Sequence, residues 1–294
     1  MANSRVTKQV KARRPLHKSD HKYSRGVVAI IAGSKKYPGA GVLTVGGARR
    51  GGVGYVKFIN KNSDATNLVL GNFPDVVPID DLQNERVDAL VVGPGATTIK
   101  SMPMKIPVVL DSGALALARS TKALRDPQQI VVVTPHEGEL KSLGFSLAHD
   151  KELDISAHDK VSSVSAHDKV SAVSARNKKS AFALKEARIT TAQRISDELN
   201  VITVLKGHQT VIAAPHCTPI IDTLGGPELA VAGSGDILAG LIGAFLASWK
   251  PVNFQEAQNT VAAAVHLHSR AGKRAARSHS VVVATDILES LAHC

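Results

Sequence analysis

An α/β fold with a mostly parallel sheet and helices on both faces is predicted by three observations. Short β-branched or apolar runs, such as 27–31, 89–92 and 130–133, alternate with stretches of helical spacing. The polar and glycine-rich motifs follow those runs directly, and sheets of this class bind ligands at the carboxyl ends of their strands. A chain of 294 residues with 44% apolar residues can bury a sizeable core. With aromatics at only 3%, that core is built from Val, Ala, Leu and Ile.

Each element has a local reason. Val27-Val28-Ala29-Ile30-Ile31 reads as a buried strand entering the turn Ala32-Gly33-Ser34. Pro38-Gly39-Ala40 opens a helix, with proline suited to its first turn, and Gly51-Gly52 stops it. Residues 53–59 form a second strand and Leu68-Val69-Leu70 a short third. The run at 89–92 ends in Gly93-Pro94-Gly95, that at 107–110 in Asp111, and that at 130–133 in Thr134-Pro135-His136. Helical spacing over 181–199 precedes a strand at 201–205, which ends at Lys206-Gly207. Residues 210–213 and 218–222 are expected to pair antiparallel, and helices close the chain at about 236–248, 254–272 and 285–292.

One region stands outside this alternation. Residues 156–182 hold a nonapeptide repeat, Ser156 to Val164, then a near copy from Ser165 to Val173, then a degraded copy from Ser174. The segment is polar and serine-rich, so about 149–180 is expected to be a surface insertion, flexible or a loose extension of the following helix. His158 and His167 have only Asp159 and Asp168 beside them, which is a poor metal set.

The formal net charge is +11. Much of the excess lies in Lys8, Lys11, Arg13, Arg14, Lys18, Lys22 and Arg25. Residues 1–22 are expected to be a short disordered basic arm ahead of one domain over 23–294. No aromatic residue interleaves with those charges before Tyr23, which argues against base stacking and makes a nucleic-acid partner unexpected. No apolar run approaches the ~18–20 residues needed to span a bilayer. Met1 to Lys22 has no apolar core of a secretory signal, and two cysteines make no disulfide framework. A cytoplasmic location is the expectation.

The densest chemistry lies in Gly233-Ser234-Gly235-Asp236, followed by the apolar run Ile237 to Phe245. A helix N-terminus presents unpaired N–H groups and a partial positive charge, so residues 233–235 could form an anion hole. Asp236 at its mouth could take a proton from a hydroxyl next to a phosphoryl group, or merely cap the helix. His136 could orient a polar substrate, or simply end a turn. Lys206-Gly207-His208-Gln209-Thr210 offers a phosphate-neutralising cation and close backbone approach, or an ordinary hairpin turn; it lacks Walker A spacing. Asp111 could bind Mg²⁺ through water or cap the next helix. His266 and His268 lie two apart on a helix and make poor joint ligands.

Taken in order, these motifs resemble the ribokinase-like superfamily and, within it, the ADP-dependent NAD(P)H-hydrate dehydratases. Tyr37 to Ala40, Gly93 to Gly95, Thr134 to Glu139, Lys206 to Thr210 and Gly233 to Gly240 carry the resemblance, which runs from about residue 20 to the end except for the insertion. It implies a three-layer sandwich and a repair reaction, in which the 6S hydrate of NADH or NADPH is dehydrated while ADP gives AMP and phosphate. It places Ala40, Gly95, His136 and Asp236 on the hydrated cofactor, and Lys206, Gly207, His208, Gln209, Thr210 and Gly235 on ADP (or ATP). Asp236 becomes the base, residues 233–235 stabilise the moving phosphoryl group, and Mg²⁺ bridges phosphates, with its protein ligands left open. The resemblance also implies a homo-oligomer, a tetramer. Ser234 replaces the usual threonine and keeps the hydroxyl; Asp111-Ser112-Gly113 lacks a second acidic residue often found there, so Asp111 receives no role. The alternative is a small-molecule kinase of the same superfamily, acting on a vitamin alcohol.

Overall fold

The computed structural model describes residues 13–95, 105–121, 126–147 and 166–294, without the side chains of 166–180. Nine strands form one sheet: β1 (Val27–Ile31), β2 (Tyr55–Phe58), β3 (Val77–Pro78), β4 (Ala89–Val92), β5 (Val108–Leu110), β6 (Val131–Val133), β7 (Ile202–Leu205), β8 (Thr210–Ala213) and β9 (Ile220–Asp222). Their spatial order is β3-β2-β1-β4-β5-β6-β7-β8-β9. All neighbours through β7 are parallel, and β8 and β9 join as antiparallel strands. This is the mostly parallel sheet that the sequence predicts, except that β3 at Val77–Pro78 stands in place of the strand expected at 68–70.

Successive strand residues face opposite layers. Val28, Ile30, Ala89 and Val91 point into one core, lined by α1 (Pro38–Arg50), α2 (Ser63–Asn72), α5 (Ser234–Trp249), α6 (Phe254–Ser278) and α7 (Ala284–Ser290). Ala29, Leu90 and Val92 point into the other, closed by α3 (Leu117–Ser120), α4 (Ala166–Leu199) and a 3-10 turn over Glu137–Leu143.

Three expectations are corrected. Leu68-Val69-Leu70 lies in α2 rather than in a strand. Asn62 accepts the Asp64 N–H and starts the helix, and Val69 is buried while Leu68 is 40% exposed, so the three residues do not share a sheet-like burial. Of the two readings of the insertion, an extension of the following helix holds for the described part: the helix before β7 begins at Ala166, inside the second repeat copy, ahead of the 181 start expected from spacing, and the first copy lies outside the described residues. The second half of the basic arm is not free. Arg13 donates to the carbonyls of Arg50, Leu291 and Cys294 at 2.5–2.7 Å, and Arg14 pairs with Asp20 at 2.8 Å.

Helix α5 packs closely on α1 because each presents a glycine to the other's backbone. A Cβ at Gly240 would sit 1.9 Å from the Thr44 carbonyl oxygen, and one at Gly47 would sit 2.2 Å from that of Ile237. Gly240→Ala should therefore cost roughly 1–3 kcal/mol through overpacking. Gly71→Ala, on α2 with nothing near its added methyl, should gain roughly 0.5–1 kcal/mol. Thermal melting of the two variants, shifting in opposite directions, checks this packing.

Candidate functional site

The sheet delivers its motifs to one edge. Beyond the ends of β6 and β7, His136 and Lys206 form a parallel bridge, and the Lys206 N–H donates to the Pro135 carbonyl at 2.8 Å. Beyond β1 and β4, the Gly33 N–H donates to Pro94 at 2.7 Å, and Gly95 takes a left-handed φ of +62°. A Cβ on Gly95 would lie 2.5 Å from that of Ala40, so these two residues adjoin.

Helix α5 begins at the same edge. Gly233, at φ +91°, is its N-cap, which places Asp236 within the first turn. The expectation that Asp236 caps the helix is therefore corrected: the left-handed Gly233 turns the chain in early, and the helix starts at Ser234. Helical geometry leaves the first N–H groups without intrahelical partners. The Ser234 N–H reaches back to Val231 at 3.3 Å, while those of Gly235 and Asp236 keep the open character of a helix N-terminus. The Ser234 hydroxyl is buried and lies 3.3 Å from Nε2 of His268. Of residues 233–235, where an anion hole is predicted, the serine side chain is thus turned inward.

Lys206 Nζ contacts Asp111 Oδ1 at 2.9 Å and Glu139 Oε2 at 3.7 Å. It also lies within 3.3 Å of where a Gly235 Cβ would be. Burial works against the ammonium, but Asp111, Glu139 and Asp236 overcome it, so Lys206 holds its proton more tightly than a free lysine. Asp236 responds in the opposite sense to a free carboxylate. Burial, then the charge of Asp111, pushes its pKa up to about 7; Lys206 pulls it back only in part. Burial takes His268 down to about 4, so its imidazole is neutral at neutral pH.

A cavity of about 320 Å³ opens beside this cluster. Lys206, Gly207, His208, Thr210, Ser234 and Gly235 line one side, and Gly226, Pro227, Leu229, Leu238 and Val265 the other. Gln209, predicted with the first set, lines a neighbouring cavity instead. His136 is exposed, and its backbone N–H donates to Glu139 at 2.9 Å.

Sequence reasoning missed four supports. Asp111 stands at the N-cap position of the 3-10 turn Ser112–Ala114 without a side-chain cap bond: its carboxylate accepts the Thr134 hydroxyl at 2.6 Å and the Ser112 hydroxyl at 2.9 Å besides holding Lys206. Glu139, named in the sequence only as the end of the Thr134 to Glu139 motif, lies 3.7 Å from Lys206 Nζ. Arg188 of α4 donates to the carbonyls of Leu205, Lys206 and Gln209 at 3.1–3.3 Å and pairs with Glu137, bracing the β7–β8 turn from behind. Asp222 accepts from Ser269 at 2.6 Å and faces His266 at 3.1 Å, fixing the loop that covers the cavity. Only the placement of Asp111 and Asp222 at strand ends was visible beforehand. Among the described residues no group of three or more His, Cys, Asp or Glu side chains could hold a metal ion.

A parallel sheet sandwiched by helices, with a glycine-turned helix N-terminus beside a carboxylate and an ammonium, defines a protein of the ribokinase-like class. A family model for NAD(P)H-hydrate dehydratase matches residues 28–293, and the chain belongs to that family. It is 34% identical over 242 residues to a bifunctional NAD(P)H-hydrate repair enzyme of Corynebacterium glutamicum, covering 78% of this chain and 37% of that protein. The chain thus spans well under half of that relative. It is 26% identical to an ADP-dependent (S)-NAD(P)H-hydrate dehydratase of Lactococcus lactis, over 97% of this chain and 94% of the relative. The crystal structure of an ADP/ATP-dependent NAD(P)H-hydrate dehydratase of Bacillus subtilis, co-crystallised with ATP and Mg²⁺, shares the fold. Its TM-score is 0.71 at 24% identity, covering 95% of this chain and 92% of that one.

The raised pKa of Asp236 has a thermodynamic consequence. Folded, the carboxyl keeps its proton up to about 7; unfolded, only to the ordinary 3.8. Between those values the native state binds the extra proton, so this group's contribution to stability falls as pH rises. At about pH 8, Asp236→Asn should resist urea better than the unmodified chain, and at about pH 4 the two should converge. A gap that does not widen with pH would contradict the assignment.

Proposed function

We propose that this chain dehydrates the S epimer of hydrated NADH or NADPH at the expense of ADP. The observation that carries the reading is Asp236, a carboxylate with pKa about 7 in the first turn of α5, beside Lys206 and the nucleotide-sized cavity. Family membership and the name of the Lactococcus relative support the substrate and co-substrate.

The chemistry follows from the leaving group. Hydroxide departs poorly and phosphate departs readily. Asp236 takes the proton from the substrate hydroxyl, whose oxygen bonds to the terminal phosphorus of ADP as the bond to AMP breaks. Gly235 and Asp236 N–H groups and the Lys206 ammonium face the charge carried by the moving phosphoryl group. The ring nitrogen then donates its electron pair, the carbon–oxygen bond leaves with phosphate, and loss of the adjacent carbon's proton restores the ring double bond. Ala40, Gly95 and His136 are the residues proposed to hold the hydrated ring side, and Lys206 to Thr210 the nucleotide side. Mg²⁺ belongs to the proposal as a companion of the phosphates, in keeping with its habit of using few protein ligands. The described residues form no cage for it, and no step depends on one.

Hydrated NADH mixed with protein, Mg²⁺ and ADP should recover the near-ultraviolet absorbance of the reduced nicotinamide. No recovery, with phosphorylation of a vitamin alcohol instead, would replace the dehydratase by a kinase. Asp236→Asn should lower turnover by about 10²–10⁴-fold, the usual worth of a general base, while calorimetry still detects ADP binding. In the unmodified enzyme kcat/KM should climb with pH through about 7, because the base must be ionised to act.

A further inference from the structure

Asp236 lies one residue from Gly235, where Lys206 Nζ sits, yet among the described residues it has no ion-pair partner. The nearest cation is committed elsewhere: Lys206 Nζ is 2.9 Å from Asp111 and 3.7 Å from Glu139. Both of these carboxylates are themselves fixed. Asp111 is 1% exposed and accepts hydroxyls from Thr134 at 2.6 Å and Ser112 at 2.9 Å. Glu139 accepts the His136 backbone N–H at 2.9 Å, and its Oε2 lies 3.5 Å from the His136 ring.

We propose that Asp111, assisted by Glu139, is a positioning residue that draws the Lys206 ammonium to its own side and so leaves Asp236 unpaired, as a base needs to be. A carboxylate in a salt bridge is a weak base, because the cation favours its ionised form. One ammonium shared by two anchored carboxylates can serve an incoming phosphate without quenching the third. The groups that act on Asp236 are Asp111 and Glu139, which hold its proton on, and Lys206, which draws it off. Removing Asp111's charge acts twice in one direction: a like charge disappears, and Lys206 becomes free to turn to Asp236.

The inference refines the role of Asp236 in the proposed reaction, but its test does not need turnover. Chain with ¹³C-labelled aspartate carboxyls would be titrated by NMR, with the Asp236→Asn spectrum identifying the resonance. In Asp111→Asn, whose Oδ1 still accepts the Thr134 hydroxyl while its amide nitrogen donates to the Ser112 oxygen, the Asp236 midpoint should fall by roughly one pH unit, the scale of removing one close charge from a half-buried acid. Glu139→Gln should move it the same way by less, and it carries the test if Asp111→Asn does not fold. An unchanged or raised midpoint in the folded variants overturns the proposal. A chain with no dehydratase activity would still show the shift, and an active dehydratase could fail to, so the two readings stand or fall separately.

Discussion

The structure depends on the burial of α5. From Ile237 to Ser248 the helix is buried on every side, and a helix without a polar face is stable only when it is enclosed. It is enclosed by α1, α6 and the centre of the sheet, at distances set by Gly47, Gly240 and Gly243; a Cβ at Gly243 would meet Val91 at 2.2 Å. Its two ends reach the surface: Trp249 at the last turn, and Gly235 and Asp236, partly exposed, in the first. The constraint that makes α5 a core element thus also brings its N-terminus and one carboxylate to the sheet edge where β6 and β7 deliver His136 and Lys206.

Charge at that edge is balanced against itself. Three carboxylates, Asp111, Glu139 and Asp236, surround one ammonium. A site of this composition is short of cationic charge, which an arriving nucleotide with phosphates would not repair. The helix N-terminus is the remaining positive element, and it is built from dipoles that need no desolvated counter-ion. The neutral state of His268 fits the same economy: it holds the Ser234 hydroxyl inward without adding charge next to Lys206.

The sheet was legible because the signal is local: β-branched runs mark buried strands, and the glycine and polar motifs mark their ends. Leu68-Val69-Leu70 misled because three apolar residues in a row carry no period; the Asn62 cap and the burial of Val69 alone decide for helix. Lys206, Gly235 and Asp236 could be nominated from motif context. Arg188 could not, since its partners are backbone carbonyls 17–21 residues away, and no side-chain pattern encodes a carbonyl. Asp111 reads only as a strand end and Glu139 only as part of a motif, because their joint hold on Lys206 appears only once β5, β6 and β7 lie side by side.

The second repeat copy, from Ala166 on, and Arg188 share α4. A helix of 34 residues is about 50 Å long at 1.5 Å per residue, more than this sheet can cover. Among its described side chains the buried positions, Ala187, Arg188, Thr191, Ala192, Ile195, Ser196 and Leu199, follow a 3–4 spacing. Residues 181–186 are already exposed or half-exposed. The buried C-terminal part of α4 thus sets Arg188 against the β7–β8 turn, and the carbonyls that shape the Lys206 loop stay where Arg188 holds them.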